Sequence, residues 1–164
     1  MVIEVKKALA KDLSILKSVK SLDFANYLAT WERQAPTKAV SFPSFMYTSE
    51  EVYKAERERF FSRAWIYIGH TSQLEGANSY FTTSIAGFPL VIAIDRHEVL
   101  HAFHNVCTHR AAPVAIGNGK CNRFVCPYHA WTFDLEGKLR GIPNFEGYED
   151  FEPSEHNLKS VQKA

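Results

Sequence analysis

Apolar residues recur at intervals of three and four near the start of the chain and form short β-like runs farther along it. The first pattern is carried by Val5, Leu9, Leu13, Leu16 and Val19. This spacing puts the apolar side chains on one helix face, so it predicts an amphipathic helix from about residue 3 to about residue 20. A second helical stretch is predicted over residues 24–31, ahead of Pro36. We interpret both as a packing arm, in preference to a membrane-surface helix, because most amphipathic helices pack against a protein core.

A linker and a third helix follow. Residues 34–45 contain two prolines and are predicted to be the linker. Thr48 and Glu51 have the spacing of a capping box, and the acidic residues beside them suit the positive end of a helix dipole. The sequence therefore predicts a helix that begins at Thr48 and ends at about Ser62.

From Ala64 onward the pattern changes to runs of aromatic and β-branched residues, which are typical of strands. The predicted strands cover residues 65–68, 80–85 and 90–94. Residues 95–98 are predicted to turn the chain into a further strand over residues 99–103. The predicted fold is mainly β, an antiparallel β unit preceded by an α-helical N-terminal arm.

Composition narrows the class of protein. The chain has 164 residues, of which 46% are hydrophobic, and this is enough for one core. The net charge of +1 gives no reason to expect a nucleic acid as partner. The 3 cysteines are too few for a disulfide framework and fit a reducing compartment, so we predict a cytoplasmic protein. No apolar run reaches the roughly 18 residues of a membrane span, and the first residues lack the apolar stretch of a signal peptide.

Two short Cys/His pairs carry the chemistry that the sequence suggests. Cys107 is followed closely by His109, and Cys126 is followed closely by His129. Each pair can place two ligands on one turn, and together they offer two thiolates and two imidazoles. Two kinds of site use this set of ligands. One is a structural zinc site, and the other is a Rieske [2Fe–2S] cluster, in which two histidines replace two cysteines on one iron.

A second apparent metal motif lies in the predicted hairpin. Residues 97–101 spell His-Glu-x-x-His, which binds zinc only when both histidines lie on one face of a helix. The flanking runs are predicted strands, in which residues four apart are separated by about 13 Å, so this motif is not expected to bind a metal. Three other histidines are expected to be surface or packing residues: His70, His104 and His156. Cys121 is predicted to be a small, partly buried thiol rather than a fifth ligand.

Residues beside the two Cys/His pairs complete a longer pattern. They are Arg110, Pro127, Tyr128 and Trp131. With the ligand order Cys, His, Cys, His, the pattern resembles the Rieske domain of ring-hydroxylating oxygenase large subunits. A zinc finger would place a helix under its second pair, whereas residues 131–139 have the pattern of strand, turn and strand. The resemblance implies a Rieske-type sandwich with two cluster-binding loops and a [2Fe–2S] cluster. The ligands that it implies are Cys107, His109, Cys126 and His129.

The resemblance also implies a place in an oxygenase. Respiratory Rieske proteins carry an extra cysteine in each ligand loop, whereas this chain has Ala112 and Tyr128 there, so the oxygenase type is favoured. The implied partners are an electron-donating reductase or ferredoxin and a mononuclear-iron catalytic domain or neighbouring subunit. We expect residues 1–40 to form the arm and linker and residues 41–164 the Rieske domain, with the catalytic domain absent.

The predicted function is therefore the electron-transfer part of an oxygenase large subunit, that is, of an oxidoreductase, with an incomplete oxygenase active site in this chain alone. Two alternatives are a stand-alone Rieske ferredoxin and a zinc-binding structural module. The helical arm favours the oxygenase part over the ferredoxin, because a ferredoxin needs only the β unit with its two loops.

Overall fold

The computed structural model describes residues 2–4, 27, 31–145 and 149–163. The chain divides into two units, one made of residues 1–6 and 64–164 and the other of residues 7–63. The predicted boundary between residues 40 and 41 falls within the second unit, and the division into an arm and a Rieske domain stays a prediction. None of the helices in the described ranges is long and apolar enough to cross a membrane.

The first unit is built from short strands in three antiparallel sheets. The strands are β1 (Val2–Glu4), β2 (Trp65–Tyr67), β3 (Ser79–Ile85), β4 (Phe88–Ile94), β5 (Leu100–His104), β6 (Asn118–Lys120), β7 (Arg123–Val125), β8 (Thr132–Asp134), β9 (Leu139–Gly141) and β10 (Gln162–Lys163). The sheet orders are β10-β1-β2, β5-β4-β3-β6 and β7-β8-β9. The mainly β, antiparallel fold class is thus confirmed.

The four strands predicted after Ala64 are present as β2 to β5, with ends that differ by up to two residues. Strands β3 and β4 are joined by Ala86 and Gly87, which both have positive φ (48° and 77°). A two-residue hairpin turn needs positive φ at both residues if it is to match the twist of its strands. The prediction did not include β6 and β7. Both are only three residues long, and Asn118 and Gly119 in β6 are residue types that are depleted in strands.

The predicted helix over residues 3–20 is wrong at its start. Val2–Glu4 is strand β1, whose backbone pairs with β2 on one side and β10 on the other. Pairing between distant segments overrides a local helical pattern here, as tertiary context often does. Residues 5–20 lie outside the described residues. In the second predicted helix only Tyr27 and Trp31 are described, and Tyr27 is helical.

The described part of the second unit contains short helical segments. They are a 3₁₀ turn at Pro36–Lys38, helix α1 at Phe45–Thr48, helix α2 at Glu50–Glu56 and a π turn at Arg57–Phe61. The predicted capping box at Thr48 is wrong. The N-cap lies one residue later, where the Ser49 hydroxyl accepts from the Val52 N–H at 3.4 Å. Ser49 has the extended backbone of an N-cap (φ −81°, ψ 126°), whereas Thr48 is the last residue of α1. The helical segment ends at Phe61, close to the predicted Ser62.

Strand β4 lies at the centre of the first unit and is buried on both faces. Successive side chains of a strand point to opposite faces, so Val91 and Ala93 join one core cluster while Leu90 and Ile92 join another. The first cluster also contains both cysteines of the predicted metal site, Cys107 and Cys126. The metal site is therefore attached directly to the most buried part of the fold.

The turn between β8 and β9 packs tightly onto this core. Gly137 has φ +83°, and a Cβ atom at this position would lie 2.5 Å from Cε1 of Phe103. Only glycine fits there without displacing the buried Phe103 ring. The Gly137 carbonyl also accepts from the Leu158 N–H at 2.8 Å, which ties the C-terminal segment to the same turn.

Asp95 organises the hairpin between β4 and β5. Its buried carboxylate accepts from the N–H groups of His97 (2.7 Å) and Val99 (3.0 Å), and it lies 2.8 Å from Nε2 of His101. Burial on its own raises the pKa of Asp95, but these hydrogen bonds bring the pKa below its usual value of 3.8. Residues 97–101 thus form a turn and a strand rather than a helix, and His101 is held by Asp95.

We expect Asp95→Ala to lower the free energy of unfolding by about 1–3 kcal/mol at pH 7, because it removes the buried carboxylate that bonds the His97 and Val99 N–H groups and the His101 ring. A lowered folded-state pKa means that the stabilising charge is present above pH 3.8 and is lost as the pH falls through the folded-state pKa. The difference from the native chain should therefore shrink in acid. Urea unfolding between pH 7 and pH 3 measures this difference in unfolding free energy, with Glu75→Ala, at an exposed residue, as a control. A difference of the same size at pH 7 and pH 3 would contradict the prediction.

Candidate metal centre

The first predicted ligand pair lies in a tight turn after β5. The Cys107 N–H donates to the Ala112 carbonyl at 2.8 Å, and the Ala111 N–H donates back to the Cys107 carbonyl at 2.9 Å. Ala111 closes the turn with φ 58°. This left-handed conformation strains any residue with a Cβ atom. The turn projects the side chains of Cys107 and His109 from a short loop that two backbone hydrogen bonds close.

The second pair lies in a turn with the same backbone geometry, between β7 and β8. The Cys126 N–H donates to the Trp131 carbonyl at 2.8 Å, and the Ala130 N–H donates to the Cys126 carbonyl at 2.9 Å. Ala130 has φ 56°, which matches Ala111 in the first turn. The two predicted cluster-binding loops are therefore structural equivalents, although the histidine is two residues after the cysteine in one and three residues after it in the other.

A buried asparagine that the sequence analysis did not single out holds the first loop. The Asn105 side chain accepts from the N–H groups of Val114 (2.9 Å) and Ala115 (3.1 Å), and it donates to the Ala115 carbonyl at 2.8 Å. It therefore clamps the chain just before the loop to the chain just after it. No local pattern in the sequence signals this role, because the partners of Asn105 are backbone groups.

The four predicted ligands form two pairs of different character. Cys107 and Cys126 are each 2% exposed and lie in the same core cluster. His109 and His129 are exposed, with ring centroids 4.6 Å apart. Within the described residues, no three Cys, His, Asp or Glu side chains are placed to hold one ion. A cluster with two irons takes two protein ligands on each iron, and the mixed Rieske set is divided into cysteines and histidines in this way. The residues therefore fit a [2Fe–2S] cluster.

The surroundings shift the pKa values of Cys107 and His109. Burial raises the pKa of Cys107, and the neighbouring Cys126 raises it further. Desolvation lowers the pKa of His109, and the nearby His129 and Arg110 lower it further. A lowered pKa keeps the imidazole neutral, which is its ligand form, whereas the thiol must lose its proton when a metal binds.

Aromatic rings surround the histidine side of the site. Trp131 is stacked on His109, with centroids 4.8 Å apart and planes 8° apart. The Tyr128 ring lies 3.9 Å from the His129 ring at a tilt of 31°. Both histidines line an open cleft of about 920 Å³ together with Trp131, Phe145, Phe151 and His156. The imidazoles thus face a space that another molecule can approach.

The other histidines and the third cysteine have the surface or packing roles that the sequence predicts. His70 is exposed and caps the 3₁₀ turn Thr71–Gln73. His156 stacks on Phe151, with centroids 4.5 Å apart. His104 is half-buried, and burial lowers its pKa. Cys121 is half-buried against the core, and burial raises the pKa of its thiol.

Two buried thiols beside two exposed imidazoles, carried by two equivalent loops of a β fold, are the donor set that an iron–sulfur cluster with mixed cysteine and histidine ligands would need. The chain belongs to the Rieske [2Fe-2S] domain family, since its residues 64–157 match the model of that family. The cofactor of this family is a Rieske-type [2Fe–2S] cluster.

Similar proteins of known function include choline and carnitine monooxygenases. The chain is 39% identical over 129 residues to the chloroplastic choline monooxygenase of Beta vulgaris, and the alignment covers 79% of this chain and 29% of that protein. It is 40% identical over 124 residues to the carnitine monooxygenase oxygenase subunit of Acinetobacter baumannii, and that alignment covers 75% of this chain and 33% of that protein. The chain spans about a third of the length of these curated relatives.

Solved structures give the same result. The quaternary ammonium Rieske monooxygenase CntA, in complex with L-carnitine, superimposes with a TM-score of 0.68 at 39% identity, over 73% of this chain and 34% of CntA. Naphthalene 1,2-dioxygenase from Rhodococcus sp. superimposes with a TM-score of 0.66 at 29% identity, over 72% of this chain and 28% of the dioxygenase. The chain therefore corresponds to the Rieske part of such oxygenases, which are oxidoreductases.

We expect Ala111→Gly and Ala130→Gly each to raise the free energy of unfolding by about 1 kcal/mol. Glycine removes a left-handed strain of order 1–3 kcal/mol and costs about 0.5–1 kcal/mol in chain entropy. The matched control is Ala35→Gly, since Ala35 is exposed with φ −61° and has no strain to relieve. Denaturant unfolding of the three variants measures the effect. Equal destabilisation of all three would show that neither loop is strained.

Proposed function

We propose that this chain is the electron-entry part of a Rieske oxygenase large subunit and that it holds its [2Fe–2S] cluster through four side chains. These are Cys107, His109, Cys126 and His129. The observation that carries the proposal is the arrangement of these side chains as two buried thiols and two exposed imidazoles on equivalent loops. The similarity to Rieske monooxygenases and dioxygenases supports it.

The two pairs have separate tasks. Cys107 and Cys126 would bind one iron within the core, where their thiolate charge is shielded from water. His109 and His129 would bind the other iron and present their rings at the open cleft. When bound, the cluster supplies reversible one-electron transfer. Because the imidazoles are the exposed ligands, this edge of the protein is the side at which electrons enter and leave.

The partners that we propose follow from the relatives. The electron donor is a reductase or ferredoxin. The acceptor is a mononuclear iron in a catalytic domain or in a neighbouring subunit. One CntA structure is described in terms of inter-subunit electron transfer, which favours the neighbouring subunit. The names of choline and carnitine monooxygenases suggest quaternary ammonium compounds as the substrate class of the whole protein. A cytoplasmic location also stays a proposal, since some relatives are chloroplastic.

Substitution of the ligands tests the proposed cluster site. Cys107→Ser and His129→Ala should each abolish the [2Fe–2S] cluster and lower the melting temperature, because the cluster cross-links the two loops. The matched control is Cys121→Ser, which removes a cysteine outside the proposed set and should keep the cluster. Iron and sulfide content, visible absorbance and the EPR signal after dithionite reduction measure the outcome. A colourless native protein with bound zinc, or loss of the cluster in Cys121→Ser, would overturn this assignment.

Electron uptake tests the proposed role. We expect the 164-residue chain to accept electrons from a compatible reductase with reduced nicotinamide and to form no hydroxylated product. Oxygen activation needs an iron with open coordination positions, which two histidines and a carboxylate commonly provide, and the described residues show no such grouping. Cluster bleaching and product formation are followed together with choline, carnitine and naphthalene as candidate substrates. Stoichiometric product from this chain alone would reveal a second iron site and contradict the proposal.

A further inference from the structure

The two proposed histidine ligands differ in what lies against their rings. His109 lies flat on Trp131, with a centroid distance of 4.8 Å and an interplanar angle of 8°. Trp131 is only 7% exposed and belongs to the main core cluster. Among the described residues, the ring neighbours of His129 are His109 and Tyr128, and Tyr128 is 59% exposed. One imidazole thus rests on a buried ring and the other on a solvent-facing one.

The Trp131 ring is in turn held by two rings from the C-terminal segment. His156 and Phe151 both meet it edge-on, with interplanar angles of 86° and 85° at 5.7 and 6.0 Å. These two rings also stack on each other, with planes 9° apart. Edge-to-face and stacked contacts of this kind contribute about 0.5–1.5 kcal/mol beyond the burial of area. Trp131 is therefore fixed in both position and tilt.

The same segment is bonded to the first ligand loop. The Thr108 hydroxyl donates to the His156 carbonyl at 2.6 Å. Thr108 lies between Cys107 and His109, whereas Trp131 closes the second loop. The segment that carries Phe151 and His156 therefore touches both loops, through a hydrogen bond on one and through ring contacts on the other. We call Trp131, Phe151 and His156 the aromatic brace.

We propose that Trp131, supported by Phe151 and His156, sets the ring plane of His109 before any metal binds, whereas His129 takes its final orientation from the metal. This inference rests on the proposed role of His109 as a ligand. Trp131 acts as a positioning residue, because it touches the ligand ring and not the iron. Ligands oriented in advance bind metal with less loss of conformational freedom, and residues that orient ligands typically change metal affinity by roughly 10–100-fold when they are replaced.

The first test uses the cluster-loaded 164-residue chain. Pulsed EPR of the dithionite-reduced protein resolves the nitrogen couplings of the two coordinating imidazoles. We expect Trp131→Leu to change the coupling of one imidazole nitrogen and to leave the other coupling unchanged. Trp131→Phe keeps a flat ring, so it should retain most of the native value of the coupling that changes. Trp131→Leu should also lose its cluster to a chelator roughly tenfold faster than the native chain. Phe151→Leu keeps Trp131 but removes part of its support, so it should give a smaller change of the same coupling.

The matched control replaces the ring beside the other histidine. Tyr128→Leu should leave the coupling that responds to Trp131→Leu at its native value. Unchanged couplings in both Trp131→Leu and Phe151→Leu, or equal changes of both couplings, would overturn the inference. So would a Tyr128→Leu variant that alters the same coupling as Trp131→Leu.

A second test separates this inference from the proposed function. In the metal-free chain, NMR should show the ring protons of His109 shifted by the Trp131 ring current, and Trp131→Leu should move them toward free-histidine positions. This result supports the aromatic brace even if the native protein carries no [2Fe–2S] cluster. The absence of a cluster would contradict the proposed function but not the aromatic brace. If the His109 protons of the metal-free native chain already have free-histidine shifts, the His109 ring is not oriented before metal binds. This conclusion holds whether the metal-free chain is folded or unfolded.

Discussion

The burial of two thiols side by side is the constraint on which the rest of the structure depends. Cys107 and Cys126 lie in the same core cluster as Val91 and Phe133, so the two ligand loops are drawn together by the packing that stabilises the sheets. Free thiols tolerate such a place because they behave as small hydrophobic groups. The charge that they would acquire as proposed iron ligands would be compensated there by the metal. The packing that stabilises the core is thus the same packing that holds the two thiols beside each other for the cofactor.

Backbone geometry gives the site its second constraint. Both loops close with the same pair of hydrogen bonds and with an alanine in the left-handed region, at Ala111 and Ala130. Strain of this kind persists only where the surrounding structure imposes it. The loops nevertheless place their histidines at different distances from their cysteines along the chain. Equivalent backbones therefore present the two imidazoles from different positions, which lets His109 and His129 meet at one edge while only His109 lies on Trp131.

Buried polar side chains complete the scaffold by bonding to the backbone. Asn105 closes the first ligand loop, and Asp95 closes the hairpin on the other end of β5. Asn105 satisfies N–H groups that would otherwise be buried without partners, and the loss of such a partner is more costly than the loss of an average hydrogen bond. Asp95 accepts from N–H groups that are partly buried. Strand β5 is thus held at both ends by polar anchors, and the first ligand loop begins directly after the second anchor.

The sequence by itself determined the types and order of the candidate ligands and the strands β2 to β5, because ligand spacing and the alternation of apolar residues are local properties of a chain. Its resemblance to a known family indicated the class of cofactor. Only the tertiary structure decided that Val2–Glu4 is a strand, that Asn105 holds the first loop and that Trp131 supports His109. These features depend on contacts between segments that are far apart in sequence, and such contacts leave no periodic pattern to read. The cap at Ser49 differs for a related reason, since the fold decides that Thr48 ends helix α1 and that Ser49 takes the extended backbone of an N-cap.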